Sequence, residues 1–514
     1  MKSSFIKSTL IVIIFTFVSK VSGFGVDTLL AYTYGPSFYS DLYVFLISIV
    51  TLIFIAVGGA VSTTFSPILS ELIVKGTREE QNRFISNTLN VFLLLLICMC
   101  IGCFSFAKQI IEILAPGFTT NYSFEELEIA INSVRIISLT LILIGIQSIL
   151  VGILNCYKSF RAASSVSIYS NLTLIVFLFF FHNKLGQYGI VYAIGIGYSI
   201  AIISLLPFIR KTGFNYKLYF NLKDEKFREM CKRIGPVFLG SSVLQINLII
   251  DSMLASTIGP GALSILNYAS KLNVLITHVI GLAIATVAFP TLSELAAHND
   301  RVKFTGFLKK VVNMTCIIIV PITLIIISLK EPIISLLFER GQFNYRDTLK
   351  TAEILLFYSP AMIFITLREV YNRAFYSLYD TKTPMIISIL GVVINIILKL
   401  VLLKYLSLAG IALATSISVV LVTLLQILYL NKKQIVMKGT IKVLLQALIL
   451  GLPVYIFVKN IHLVLGEWVR GSNFTGQLFN IGASSLLGII IYVILLFTFK
   501  ILDIKDVRLY FKKK

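Results

Sequence analysis

Several ionisable side chains sit inside long apolar runs of this chain. An unpaired charge is costly there and normally faces a cavity. Lys20 lies late in the first run, and Lys271 lies within Asn267-Tyr268-Ala269-Ser270-Lys271-Leu272. Asp41 opens the second run, and Asp27 and Asp251 head the two copies of a sequence repeat. Asn395 and Lys399 are one turn apart, so they share a helix face, and Thr415 follows in the next run. Arg368, Glu369 and Arg373 lie toward the basic end of another. Cations in such places suit an anionic ligand. Each residue also has a plainer reading. Lys20 and Lys271 could snorkel to an interface, Asp27 and Asp251 could cap structure at the outer surface, and Arg373 could anchor its span. That reading is weakest for Lys399, which is mid-span with apolar residues on both sides.

Enzymatic constellations are missing from the sequence. The four histidines are scattered, and no Ser/His/Asp grouping or GxxxxGK[ST] phosphate loop occurs. Cys100 and Cys103 have CxxC spacing but lie in an apolar run. They read as small hydrophobes rather than a disulfide or metal site, as do Cys98, Cys156, Cys231 and Cys316. No cofactor or metal is expected. Work must draw on ion gradients, membrane potential or the substrate gradient, so the expectation is a transporter and not an enzyme.

The elements that must position these residues are membrane helices. The chain has 514 residues, 57% hydrophobic and 13% charged, with a mean hydropathy of +0.91. That composition belongs to an all-α polytopic membrane protein, because apolar runs of about 20 residues favour helices over barrel strands. The formal charge of +21 would suggest nucleic acid for a soluble protein. Here the basic residues collect in alternate loops instead, at Lys75 to Arg83, Lys158 to Arg161, Arg210 to Arg233, Arg301 to Lys310, Lys432 to Lys442 and the tail from Lys505. The stretches Tyr34 to Ser40, Pro116 to Leu127 and Gly259 to Ser264 carry no Lys or Arg. This positive-inside pattern puts both termini in the cytoplasm, with an even number of spans. The first helix reads as retained, since Lys20 follows its apolar core without a small-x-small cleavage site.

A repeat organises the spans. Asp27-Thr28-Leu29-Leu30-Ala31-Tyr32-Thr33-Tyr34-Gly35-Pro36 returns as Asp251-Ser252-Met253-Leu254-Ala255-Ser256-Thr257-Ile258-Gly259-Pro260. Phe65-Ser66-Pro67-Ile68-Leu69-Ser70-Glu71 is echoed by Phe289-Pro290-Thr291-Leu292-Ser293-Glu294, with the register slipping by one residue. Two similar halves about a pseudo-two-fold axis are a common transporter design. About 14 spans are expected, centred near residues 18, 55, 98, 142, 172, 197, 243, 280, 317, 362, 393, 419, 449 and 486. These give a six-helix bundle over 1–210, an amphipathic linker over 211–228, a second six-helix bundle over 229–431, and two extra helices with a basic tail over 432–514.

These residues resemble a known family. Ser19-Lys20-Val21-Ser22-Gly23-Phe24 is similar to SRVLGF, and Ser40-Asp41 to the start of TDAFF. Gly59-Ala60-Val61-Ser62 with Phe65-Ser66-Pro67 is similar to EGAxSxAFVP, and Leu114-Ala115-Pro116-Gly117-Phe118 to APGF. The segment from Asn267 to Leu272 resembles NYADRL, Ala285 to Pro290 resembles ATVLLP, Arg373 to Ser377 resembles RAFYAL, and Asp380 to Pro384 resembles DTRTP. In order and spacing the chain resembles the MurJ/MviN lipid II flippases, in the superfamily that also holds MATE exporters and polysaccharide flippases. Cavity arginines of that family fall here on Lys20 and Lys271, on Val26, and in Leu52-Ile53-Phe54; a family glutamate falls on Gly58. Lysine keeps the charge but loses bidentate phosphate recognition.

The resemblance implies a flippase of the bacterial plasma membrane that moves lipid II by alternating access. Its expected partners are a polyprenyl-pyrophosphate-linked glycan and membrane lipid, with cell-wall synthesis proteins as further candidates and no nucleic acid. The candidate substrate-binding residues are Lys20, Asp27, Asp41, Lys271 and Arg373. The candidate coupling or internal ion-pair residues are Asp251, Asn395, Lys399 and Thr415, with the Lys399 ammonium in place of a metal ion. Other readings stand beside this one: a flippase for another polyprenyl-linked oligosaccharide, a MATE-like cation-coupled exporter, and a membrane scaffold for cell-wall synthesis. An exporter of cations would be expected to line its cavity with carboxylates, whereas Lys20, Lys271 and Lys399 are positive.

Overall fold

A computed structural model describes residues 2–53, 59–182, 184–437, 439–468 and 474–499. The centre of the second expected span, the positions Phe54 and Gly58, and the basic tail lie outside these residues. Every regular element among them is helical. Two compact units form, one of residues 1–264 with 341–343 and the other of residues 265–340 with 344–514.

The first unit holds α1 (Lys2–Tyr34), α2 (Phe38–Ile53), α3 (Ala60–Lys75), α4 (Arg78–Ser105), α5 (Ala107–Leu114), α6 (Gly117–Thr120), α7 (Phe124–Cys156), α8 (Phe160–Phe180), α9 (Gly189–Lys211) and α10 (Glu225–Ser256). Helix α11 (Ala262–Ala297) starts at its edge. The second unit continues with α12 (Arg301–Ser328), α13 (Lys330–Phe338), α14 (Tyr345–Ser377), α15 (Lys382–Lys432), α16 (Thr440–Trp468) and α17 (Phe474–Thr498).

Local chemistry sets the helix starts. Thr77 with Glu80, Ser123 with Glu126, and Asn344 with Asp347 form capping boxes at α4, α7 and α14. Each satisfies two backbone donors that a helix start would leave open. Asp224 and Asp300 cap α10 and α12 by accepting from Phe227 N and Lys303 N.

Eleven described helices are long and apolar enough to cross a membrane. This is fewer than the expected 14, for three local reasons. Helix α15 is two arms merged across Ser407, whose φ of 52° breaks the helix between them. Residues 54–58 of the second span lie outside the described ones, and the helices on either side, α2 and α3, have 16 described residues each. In α10 the side chains of residues 235–244 lie outside the described ones, so no apolar window of span length is counted there.

Packing in the first unit centres on Phe65, Leu69, Phe84, Ile153 and Leu205, which join α3, α4, α7 and α9 around one buried apolar cluster. In the second unit Leu308, Cys316, Ile319, Val370 and Phe375 join α12 to α14. Leu329, Val454, Val458 and Tyr492 then seat α16 and α17 against α12. The six cysteines are free thiols.

Candidate functional site

In the first unit, α1 carries Lys20 and Asp27. Lys20 is exposed and Asp27 is buried. Flanking Lys20, Asn171 Nδ2 on α8 donates to Ser19 O and Ser22 Oγ, each at 3.0 Å. This clasp fixes the rotation of α1 beside α8. Asp251 lies half-buried on α10, next to Ser252, whose hydroxyl is 3.4 Å from that of Ser48 on α2.

Asp41 has the most developed surroundings. It lies in the first turn of α2 and is only 1% exposed. Its carboxylate accepts from the Ser264 backbone N–H at 2.7 Å and from the Tyr122 hydroxyl at 2.8 Å. Ser264 is the third residue of α11, so Asp41 caps that helix from another helix. The Tyr122 hydroxyl in turn accepts from Gly261 N at 3.4 Å.

The turns around Asp41 interlock. Gly117 N donates to Ser256 Oγ at 3.1 Å, and Asn121 Nδ2 donates to Ser256 O at 3.0 Å. A Cβ on Gly117 would stand 1.7 Å from that carbonyl oxygen. The motif Leu114-Ala115-Pro116-Gly117-Phe118 therefore needs its glycine for a backbone approach. Gln342 N reaches Tyr32 O at 3.0 Å and ties residues 341–343 to the end of α1. Both Gly-Pro steps of the repeat follow helix ends, with α1 closing at Tyr34 and α10 at Ser256.

In the second unit, the two arms of α15 face each other through polar side chains. Asn395 Nδ2 donates to Ser418 Oγ at 2.9 Å and lies 3.4 Å from Thr415 Oγ1. Lys399, one turn on, is fully buried at 0% exposure. A lysine so enclosed is costly unless its surroundings compensate. The second arm is bound to α14 as well, through Ser416 Oγ to Phe357 O at 2.6 Å and Gln426 Nε2 to Asn372 Oδ1 at 2.7 Å. The Arg373 guanidinium lies over the Phe289 ring at 5.5 Å. Lys271 is exposed on α11.

The structure thus groups Asn395 and Thr415 on the facing arms of α15. It gives Asp41 the partners Tyr122 and Ser264, which sequence reasoning missed. Tyr122 stands just past the Ala115-Pro116-Gly117-Phe118 motif, and that proximity was the available signal. Ser264 contributes a backbone N–H, which no side-chain pattern announces.

Such a fold, with charged and amide side chains at its helix junctions, defines a multi-pass all-α membrane transporter. The family described as "Lipid II flippase MurJ" matches residues 30–479. A relative named "Probable lipid II flippase MurJ" from Buchnera aphidicola subsp. Baizongia pistaciae is 30% identical over 418 residues, 80% of this chain and 81% of its own. A solved structure described as lipid II flippase MurJ in an inward closed conformation is 28% identical with a TM-score of 0.79, covering 96% of this chain and 100% of that one. An inward-facing MATE family multidrug transporter matches at a TM-score of 0.67 and 15% identity, a likeness of fold alone. This chain belongs to the lipid II flippase MurJ family.

Proposed function

We propose that this protein carries lipid II from the inner to the outer leaflet of a bacterial plasma membrane by alternating access. The family match across residues 30–479 carries this reading. Both termini lie in the cytoplasm, as the distribution of Lys and Arg among the loops supports. No step calls for nucleotide hydrolysis.

The lysines on α1 and α11, Lys20 and Lys271, bind the anionic pyrophosphate head group, with Asp27 and Arg373 completing the polar lining. Each cation–phosphate contact in a partly desolvated site is worth on the order of 1–3 kcal/mol. Asp41 holds the outer side shut by capping α11, and this cap is broken and remade in each cycle. Rocking of the two repeat halves exchanges access between leaflets. Asn395, Lys399 and Thr415, with Asp251, form a permanently charged counterpart of an ion-coupling site, so membrane potential drives the cycle. The lipid is the one substrate partner this reading requires.

Depletion rescue tests the proposal. The resident lipid II flippase of a host bacterium is replaced by this chain, and growth and lipid-linked precursor levels are scored. Restored growth with normal precursor levels is expected. Accumulated precursor and lysis, with the protein present in the membrane, would overturn the reading.

A further inference from the structure

Between α9 and α10 the chain leaves helix, and residues 214–221 have no regular secondary structure. They lie along the first turns of α4, tied there by a row of polar side chains. Asn82 Oδ1 accepts from Asn215 N at 3.3 Å, and Ser86 Oγ accepts from Lys217 N at 3.1 Å. Asn90 Nδ2 donates to Tyr219 O at 2.8 Å. Asn87 accepts from Asn221 N at 2.7 Å and donates to Asn221 O at 2.9 Å. Odd-numbered residues therefore turn their backbone to α4.

The side chains of Leu218, Phe220 and Leu222 are left uncovered, whereas Tyr216 folds back and its hydroxyl donates to Asn90 Oδ1 at 2.6 Å. Tyr216, Leu218, Phe220 and Leu222 are 56%, 89%, 52% and 54% exposed. Charges on the segment are met at its base: Lys217 Nζ lies 3.5 Å from Glu79, and Arg83 pairs with Asp224 at 3.7 Å while covering the Tyr219 ring.

Asn82, Ser86 and Asn90 fall on one stripe of α4, and Leu94, Ile97, Ile101 and Phe104 continue it. Those four apolar residues are exposed, on a helix apolar enough to span a membrane. The stripe that meets lipid farther along is thus polar over its first turns and covered by residues 214–222. Asn90 stands about 18 Å from Arg78 along the helix axis, at ~1.5 Å per residue. A non-helical chain inside a bilayer is tolerated only where its polar backbone groups are satisfied by protein.

We propose that residues 214–222 dip into the bilayer leaflet at the Arg78 end of α4 and form a lipid-binding finger. Leu218, Phe220 and Leu222 take phospholipid acyl chains, while Asn82, Ser86, Asn87 and Asn90 stand in for water on the backbone, and Asn90 also accepts the Tyr216 hydroxyl. The apolar face then continues the lipid-facing stripe of α4 and needs no protein partner. The inference rests on the membrane-spanning fold and not on the transported substrate.

The test uses the full chain in phospholipid vesicles, with the native cysteines replaced and L218C carrying an environment-sensitive fluorophore. Lipids bearing a nitroxide on the acyl chain should quench it several-fold more than aqueous iodide, with the reverse order at Y379C, a position 91% exposed. Iodide quenching at L218C equal to that at Y379C would overturn the proposal. So would a label shielded from both quenchers, which would mark a protein interface. In N87A, which loses both bonds to Asn221, the label should move toward water; unchanged quenching would overturn the role of the asparagine row. The unmodified chain offers a second readout: a membrane-partitioning photoreactive diazirine should label the peptide holding residues 216–222. Absence of label there, with α4 labelled, would overturn the finger.

Discussion

The Asp41 carboxylate accepts the backbone N–H of Ser264 at 2.7 Å, although the two residues are 223 positions apart in the chain. A helix start in α11 is thereby capped by a side chain of α2. The same carboxylate takes the Tyr122 hydroxyl. Removing it strands two buried donors at once, a cost of about 1–3 kcal/mol each. D41A should therefore lose rescue activity and melt earlier, while D41N, which keeps an acceptor oxygen, should fall between D41A and wild type. Thermal unfolding of the purified proteins beside growth rescue checks the order; a D41A variant indistinguishable from wild type in both would refute the capping role.

Gly117 and Gly102 make an opposed pair. A methyl on Gly117 would collide with Ser256 O, whereas one on Gly102 meets nothing within 4 Å. G117A should destabilise by about 1–3 kcal/mol, as overpacking does. G102A, inside α4, should stabilise by roughly 0.5–1 kcal/mol through helix propensity. Unfolding midpoints of the two variants should move in opposite directions.

Replacing Lys20 or Lys271 by alanine should abolish rescue with membrane levels unchanged. Arginine at either position keeps the charge and adds bidentate reach, so K20R and K271R should retain function. Full activity in both alanine variants would remove these residues from the head-group site.

A fixed ammonium at Lys399 predicts transport that ignores sodium. Vesicle assays with sodium, potassium or choline outside should give equal rates, and collapse of the membrane potential should stop them. Stimulation by sodium alone would contradict the proposal.

Outside the spans, Asp380 offers a pH test. Burial pushes its carboxyl up, but Lys433 at 2.8 Å and the Thr383 N–H outweigh that and hold it below the usual carboxylate range. A depressed carboxyl stabilises the fold above its unfolded pKa, and that contribution fades as pH falls through the folded value. Stability should decline in acid below about pH 4, and D380N should flatten that decline while lowering stability at neutral pH. Chemical unfolding of both proteins across pH 3 to 7 measures the difference.

Much of this architecture is written openly in the chain. The apolar runs, the alternating basic loops and the repeat headed by Asp27 and Asp251 give the helical class and its duplication, because burial in lipid leaves few other solutions. Thirteen of the fourteen span centres fall inside described helices; the remaining one, residue 55, lies outside the described residues. Less was legible where a partner is backbone. Asp41 stood out as an acid in an apolar run, but neither Ser264 N nor Gly261 N leaves a mark in the residue types. Ser407 turns α15 at φ 52°, and the one local signal is Gly410, where a Cβ would stand 2.4 Å from the Leu402 carbonyl oxygen. The segment after Lys211 read as interfacial from its mixed Lys, Phe, Tyr and Leu content. That its backbone is held on Asn82, Ser86, Asn87 and Asn90 depends on a pairing of distant segments, which periodicity within one segment does not reveal.

The cap on α11 also bears on how the duplication aged. Counted at the spacing that carries Asp27 onto Asp251, Ser40 falls on Ser264 and Asp41 on Ile265. The second copy thus holds an apolar residue where the first holds the acid. In this chain the first copy carries the acid and the second presents the helix start that it caps. The copies are no longer interchangeable at this end, so a chimera built from two first copies should fail to close there.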